Sequence, residues 1–404
     1  MSAKPQTSIA DREFERILFI RLSALGDVVQ SIALLNAMRK RYPHARIDWL
    51  VKPSPAKIVE LLPSVSNVLV YGANHTEVPQ YNWDGVKHYI RLLRDSSFRR
   101  LLASLRATRY DLVVDVQGQM RTGIVTAVTG APVRLGFERA RRESKADPAA
   151  VQAEGTVKRA WKGAREGSWM AYTHHVPVEM NNAHAVDGYL RFGQLLGFDT
   201  SHADFSFPIA DDVDAEIARR LSEESGAAAV RPIIISPGGL WETKRWHSQG
   251  FTAVARHFIN KGHHVILIGS GEEAEVCAEI VAAAPGAHNW AGRTTLTQLA
   301  AIIRRASLCL TNDSGPMHMA VALERPVVSI FGPSDPVWAG PYRRQRAILQ
   351  ADLACSPCRI RHVPKCPHDH ACMRQVTPQS VIERMEALLA GEVSGPSVTC
   401  EAGP

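Results

Sequence analysis

The sequence predicts an α/β protein with two doubly wound parallel sheets in series, and three observations predict it. Short apolar runs bounded by charge or turn residues alternate with stretches of helical periodicity, the pattern of βαβ units. The alternation stops at the polar stretch Asp199 to Asp212 and then restarts. The chain has 404 residues, more than one core holds, since single cores stop growing at roughly 250–300 residues.

Ile17-Leu18-Phe19-Ile20 is apolar throughout, as a strand covered on both faces must be. After the turn Ser23-Ala24-Leu25-Gly26-Asp27, Val28, Ile32, Leu35 and Met38 recur at helical spacing until Tyr42-Pro43 stops the helix. Ile47 to Val51, Val68 to Val70 and Leu112 to Val116 continue as strands, and His184 to Leu196 as a helix. In the second half the strands are Ile233 to Ile235, Val265 to Ile268, Leu308 to Leu310 and Val327 to Phe331. The helices are Phe251 to Asn260, Glu272 to Ala284, Gly315 to Leu323 and Gln379 to Ala390. The expected division is a tail over 1–16, a first domain over 17–205, a second over 206–376, a last helix over 377–391 and a disordered tail over 392–404.

Apolar residues make up 45% and charged residues 22%, which excludes a disordered chain and a small disulfide scaffold. The net charge of +7 suits an anionic ligand or an anionic membrane face and is too weak to argue for nucleic acid. From Arg134 to Glu166 nine basic residues face five acids, a net of +4. The part over 138–166 reads as a long, partly mobile basic loop; a solvated insertion is the plain alternative. The N-terminus has no apolar core of a signal peptide, and no apolar run is long enough to span a bilayer. An odd count of seven cysteines points to a reducing compartment, the cytoplasm.

Ligands in such sheets sit at the strand C-termini, so the turns after strands carry the candidates, and two domains place them on either side of a cleft. Gly26 lets backbone pass close to a ligand, and Asp27, at a helix start that favours its ionised form, can accept a proton from a hydroxyl. The plain alternative is an N-cap. Ser236-Pro237-Gly238-Gly239 followed by Lys244 offers amides and a point charge to an anion. Thr311-Asn312-Asp313-Ser314-Gly315-Pro316-Met317-His318 joins a strand to a helix whose free amides suit a phosphate, with capping by Asp313 or Ser314 and a packed histidine as the alternative. Glu272 or Glu273, after another strand, could hold paired ribose hydroxyls, or merely favour a helix start. Cys355, Cys358, Cys366 and Cys372 fall within eighteen residues, with His362, His368 and His370 among them. Four thiolates permit a structural zinc, but the spacings fit neither common template, and packing cysteines or a local disulfide are equally open.

Together these segments resemble the ADP-heptose lipopolysaccharide heptosyltransferases of glycosyltransferase family nine. The carriers are Ile17 to Arg39 and Thr311 to Tyr342, supported by Asp115-Val116-Gln117-Gly118, Arg134-Leu135-Gly136-Phe137, Arg165-Glu166-Gly167, Lys244-Arg245-Trp246 and Cys372-Met373-Arg374. The resemblance implies a GT-B architecture, two facing Rossmann-like domains with the acceptor in the first and the donor in the second, and a last helix that returns to the first domain. It implies inversion of the anomeric centre without a catalytic metal or required cofactor.

By the same resemblance Asp27 matches the general base and Lys244 the residue on the donor phosphates. Gly26, Gly238, Glu272 or Glu273, Asp313, Ser314, Gly315 and His318 would bind the donor, ADP-heptose. Ser23, Arg121, Arg139 and Arg142 would face the acceptor, the Kdo-lipid A inner core. The basic loop would hold the enzyme peripherally at the inner face of the inner membrane. Gln30 and Ala33 depart from the His and Pro of many members, and Ser144 to Gly163 looks inserted. The alternatives are another nucleotide sugar or acceptor within the family, a nucleotide-sugar epimerase of similar fold, and a zinc-bearing adaptor without catalysis.

Overall fold

The computed structural model describes residues 8–72, 94–142, 161–178, 184–227 and 230–391. The chain divides into two compact units, the first comprising Met1–Glu143 with Ala160–Pro208 and the second running from Ile209. The division between Pro208 and Ile209 falls inside the polar stretch, slightly beyond the expected 205/206 boundary.

The first unit is a six-stranded sheet of β1 (Arg16–Ile20), β2 (Arg46–Val51), β3 (Asn67–Val70), β4 (Leu112–Asp115), β5 (Val133–Phe137) and, after a separate two-residue ladder, β8 (His174–Val176). Its order is β3-β2-β1-β4-β5-β8, all neighbours parallel. The ladder pairs β6 (Arg141–Arg142) antiparallel with β7 (Trp161–Lys162). Ile17 to Ile20 are wholly buried, as their unbroken apolar run requires. Phe19 and Trp49, register partners on β1 and β2, meet edge to face at 4.7 Å. The Trp49 indole N–H donates to the Arg21 carbonyl at 3.1 Å and so fixes the chain leaving β1.

The second unit repeats the plan with β9 (Ile233–Ser236), β10 (Val265–Leu267), β11 (Ala287–Asn289), β12 (Leu308–Asn312), β13 (Val327–Phe331) and β14 (Ile348–Gln350), ordered β11-β10-β9-β12-β13-β14. Both orders reverse direction at the first strand of the unit, so both place a switch point beside it, between β1 and β4 and between β9 and β12.

The strands β5, β8, β11 and β14 and the helices Ser96–Ala107, Met120–Val128, Asp211–Ser225 and Leu296–Arg305 are additions to the sequence-based assignment. Three other expectations change. Residues 8–15 are not a loose tail, because Ile9 and Phe14 are buried and Phe14 packs edge-on against Tyr42. The described ends of the 138–166 segment are laddered rather than looped, with Arg139 bridged to Ala164 and β6 paired with β7; residues 143–160 lie outside the described residues. The helix Pro378–Leu389 belongs to the second unit, where the resemblance implied a return to the first. Its Val381, Ile382 and Met385 enter that unit's core beside Phe251, Val254 and Phe258.

Candidate active site

In the first unit the switch point is built around a buried arginine. Arg21 follows β1 directly, and its amide still donates to the Leu50 carbonyl of β2. One guanidinium nitrogen donates to the Val116 carbonyl at 2.8 Å, and another pairs with Asp27 Oδ2 at 2.8 Å. The Tyr189 ring lies against the same guanidinium, 5.3 Å from its centroid. Burial alone would lower the arginine's pKa; the charge of Asp27 and its hydrogen bond, with Tyr189 and Asp115, together outweigh it and hold the pKa above the usual value.

Asp27 is not an N-cap. Ala24 holds that position, and Asp27 stands three residues into the helix Leu25–Arg41, reaching back to accept the Ala24 amide at 2.9 Å. Ala24 has no side-chain acceptor to offer in return, so only this half of a capping box exists. Both contacts fall on Oδ2, and the carboxylate is 41% exposed against 9% for Arg21. The aspartate is therefore aimed by a buried cation, and neither of these contacts uses Oδ1. Gly26 is buried beside it and Ser23 half-buried.

The neighbouring turn after β4 is set by Asp115. Its buried carboxylate accepts the Gln117 and Gly118 amides at 2.9 and 3.2 Å and the Tyr172 hydroxyl at 2.8 Å. Gly118 takes a φ of +66°, which favours glycine, and its carbonyl accepts the Arg165 amide. Gln117 Oε1 then accepts the Leu22 amide at 3.0 Å, tying this turn to the one that carries Arg21. Two separate stretches of the resemblance, 115–118 and 165–167, are thus neighbours in space.

Arg121 is buried at the start of the next helix, bonded to Gln119 Oε1, with its Nε lacking a hydrogen-bond partner. Lys52, at the end of β2, is its neighbour: burial, then the guanidinium's like charge, lower the lysine's pKa. Arg21 and Lys52 were not among the sequence candidates. The signal for each was a lone cation directly after an apolar strand, Ile20-Arg21 and Val51-Lys52. Arg139 is exposed and stacks over the Trp169 ring at 5.0 Å. Arg142 lies in β6, and its side chain is outside the described residues.

In the second unit the turns after β9 and β12 converge. Lys244 ends a short 3-10 turn, Glu242–Lys244, and pairs with Asp313 Oδ2 at 2.6 Å. Here the carboxylate is the buried member, 6% exposed, and the ammonium is 15% exposed. The Lys244 ammonium also lies 4.4 Å from the Trp241 ring centroid. Asn312 joins the two turns, donating to the Pro237 and Gly238 carbonyls at 2.8 and 3.0 Å and accepting the Trp246 amide at 3.2 Å.

Ser314 is the N-cap of the helix Gly315–Ala322 by position, but its hydroxyl donates back to the Asn312 carbonyl and caps nothing. The helix's first amides therefore lack a side-chain cap, and Pro316 contributes none, which leaves Gly315 and Met317 as donors. The His318 ring is buried, 8% exposed. Glu273 bonds the Ser270 amide at 2.8 Å and its hydroxyl, and lies so close to Gly238 that a Cβ there would sit 2.8 Å from its Oε1. Glu272 is exposed and its amide caps onto Ser270. The glutamate against the glycine turn is thus Glu273.

The cysteine-rich segment braces this site. Thr243 donates to the Ile360 carbonyl, His370 bonds the Thr243 carbonyl, and the Val363 amide donates to Glu242. Cys355, Cys358, Cys366 and Cys372 are free thiols. Burial and then the charges of the other three push Cys372 up to about 12. Zinc–thiolate bonds of about 2.3 Å put tetrahedral sulfurs about 3.8 Å apart. Among the described residues no three of these ligand atoms come within 4.8 Å of one another, so the thiols are neighbours without forming a closed set.

A family model described as glycosyltransferase family 9 (heptosyltransferase) matches residues 98–157 and 148–367. Lipopolysaccharide heptosyltransferase 1 of Pseudomonas aeruginosa is 26% identical over 391 residues, covering 93% of this chain and 98% of its own. Lipopolysaccharide heptosyltransferase 2 of Salmonella typhimurium is 28% identical over 385 residues, covering 93% and 99%. The solved structure of the Escherichia coli ADP-heptose lipopolysaccharide heptosyltransferase II superposes with a TM-score of 0.65 at 22% identity, over 93% of this chain and 99% of that one. The fold is shared along the length of both chains.

Proposed function

The chain belongs to glycosyltransferase family 9, the heptosyltransferase family, and from that premise we propose that it moves heptose from ADP-heptose to the Kdo-lipid A inner core of lipopolysaccharide. The observation that carries the mechanism is the half-exposed Asp27 carboxylate, anchored through Oδ2 alone. Oδ1 takes the proton of the acceptor hydroxyl as its oxygen bonds the anomeric carbon. The carbon–oxygen bond to the diphosphate breaks on the opposite face, so the configuration inverts. A carboxylate serves as base here because the hydroxyl becomes acidic only as the new bond forms. Lys244 and the amides at Gly315 and Met317 stabilise the departing diphosphate. Positioned charge of this kind is usually the largest catalytic contribution. Asp313 is a positioning residue that holds the ammonium; Glu273 is the candidate for the donor ribose. No step in this reading asks for a metal.

Arg121 and Lys52 supply positive charge at the strand ends of the first unit, where carboxylates and phosphates of the acceptor would bind, with Arg139 and Arg142 beyond them. No helix among the described residues is long and apolar enough to cross a membrane. Contact with the inner-membrane face would then be electrostatic, and 0.5 M salt (roughly a 4 Å Debye length) should release the protein from anionic vesicles. The direct test of the function is ADP release from ADP-heptose with and without Kdo-lipid A. Release that depends on the acceptor is expected. Turnover of the donor alone, or stabilisation of the fold by other nucleotide sugars and not by ADP-heptose, would overturn the reading.

A further inference from the structure

We propose that Glu224, His264 and His288 form a divalent transition-metal site of the zinc class on the second unit, separate from the donor turns. The residues come from three elements: the end of the helix Asp211–Ser225, the residue before β10, and the middle of the edge strand β11. His264 precedes β10 at its N-terminal end, whereas the donor turns follow the C-terminal ends of the parallel strands β9 and β12.

One oxygen and two ring nitrogens converge. Glu224 Oε2 lies 3.4 Å from His288 Nδ1 and 4.0 Å from His264 Nε2, and the three ligand atoms fall within 4.8 Å of one another. As hydrogen bonds these spans are poor, the second being well beyond range. As a ligand set they suit an ion about 2.0–2.2 Å from each atom, since such ligands sit about 3.3–3.6 Å apart around a tetrahedral centre. His264 Nε2 is buried and has no hydrogen-bond partner. A buried polar atom left over in this way calls for an explanation, and an ion is one of the few available.

The surroundings support the same assignment. The Trp290 indole N–H donates to both Glu224 oxygens, at 2.9 and 2.8 Å, the kind of outer contact that orients a ligating carboxylate. Arg220, one turn earlier on the helix, spends its charge elsewhere, stacked 3.5 Å from the Trp290 centroid and bonded to the Arg293 carbonyl. Glu224 and His288 keep about a third of their side chains exposed, at 28% and 32%, so solvent reaches the cluster. Such a site would tie a helix to an edge strand whose neighbour among the described residues is β10.

The test uses the full chain stripped of metal by a chelator and titrated with Zn2+ under reducing conditions, beside His288→Ala and Glu224→Gln. Glu224→Gln keeps an acceptor for Trp290 and guards against a folding fault. The native chain should bind one more Zn2+ than either variant, and Zn2+ should raise its melting temperature more. Loss of a ligand should weaken this site by about 100-fold or more, at or past the range for a lost outer contact. Equal stoichiometry and equal thermal shifts in all three proteins would show an ordinary charge cluster and overturn the proposal. As an independent measurement, the native chain with its cysteines blocked should still take up one Co2+ without thiolate charge-transfer absorption. Uptake of none would also overturn it.

Discussion

The two units repeat one strand order, and each sets an ion pair at its switch point, yet the pairs are buried in opposite senses. In the first unit the cation is sunk and the carboxylate emerges, Arg21 at 9% and Asp27 at 41%. In the second the carboxylate is sunk and the cation is the more accessible, Asp313 at 6% and Lys244 at 15%. Burial of a lone charge is costly, so each hidden member depends on its partner and in turn fixes it. The same fold thereby presents an accessible carboxylate from one unit, proposed above as the base, and the more accessible cation from the other, proposed for the diphosphate.

The comparison breaks first at Asp27. Asp27→Asn keeps the acceptor for Arg21 and the Ala24 amide but removes the proposed base. The expected loss in kcat is about 10²–10⁴-fold, with ADP affinity unchanged by calorimetry; a variant with most of its rate intact would make Asp27 a helix-start residue only. Lys244→Ala should lower kcat by about 10²–10³-fold and, unlike the first variant, weaken ADP binding as well. It strands Asp313 in the interior, so its melting temperature should fall too. Equal ADP affinity in both variants would erase the division of labour between the units.

Arg21→Lys sharpens the comparison. It retains charge but not the two-armed grip on Val116 and Asp27. Misplacement of a catalytic group by an ångström costs up to about 10²-fold, so kcat should drop by about 10–100-fold with donor binding intact. A merely structural arginine would change melting temperature and spare kcat in the folded fraction.

The smallest effect concerns acid stability of the first unit. Burial would raise the pKa of Asp204, but Lys40 and the Ser206 hydroxyl and amide outweigh it and hold it at about 2. A group depressed in the folded state contributes stability above its unfolded pKa, which is lost as the pH falls through the folded value. The contribution should therefore be complete above about pH 4 and disappear toward pH 2. With Lys40 largely exposed, about 1 kcal/mol is expected. Asp204→Asn should remove that part of the pH dependence of the urea midpoint and leave kcat alone.

Much of this arrangement was legible in the residues. Fully buried strands such as Ile17 to Ile20 and Val327 to Phe331 announce themselves because both faces need apolar side chains. The edge strands β8, β11 and β14 do not, because three residues carry no periodicity and their outer side is free of constraint. The helix Asp211–Ser225 opens with three acids in its first turn, which suit a helix start yet also look like a polar connection. At the site, Asp27, Lys244 and Asp313 stood out through glycine turns and family likeness. The pairing of Lys244 with Asp313, the anchoring by Arg21 and the bracing by residues near 360 join positions far apart in the chain, which no local pattern reveals.

The contacts that reach the lysine turn from the far end of the second unit bear on how it could be engineered. Thr243 is bonded to Ile360 and His370, Glu242 to Val363, and the Trp246 indole to the Val376 carbonyl at 3.0 Å. A swap of residues 241–246 alone into another scaffold would transplant a turn without its splint. Chimeras that exchange 241–246 and 360–376 together should keep the ammonium in the place proposed for the diphosphate, and single-segment grafts should express as folded but idle proteins.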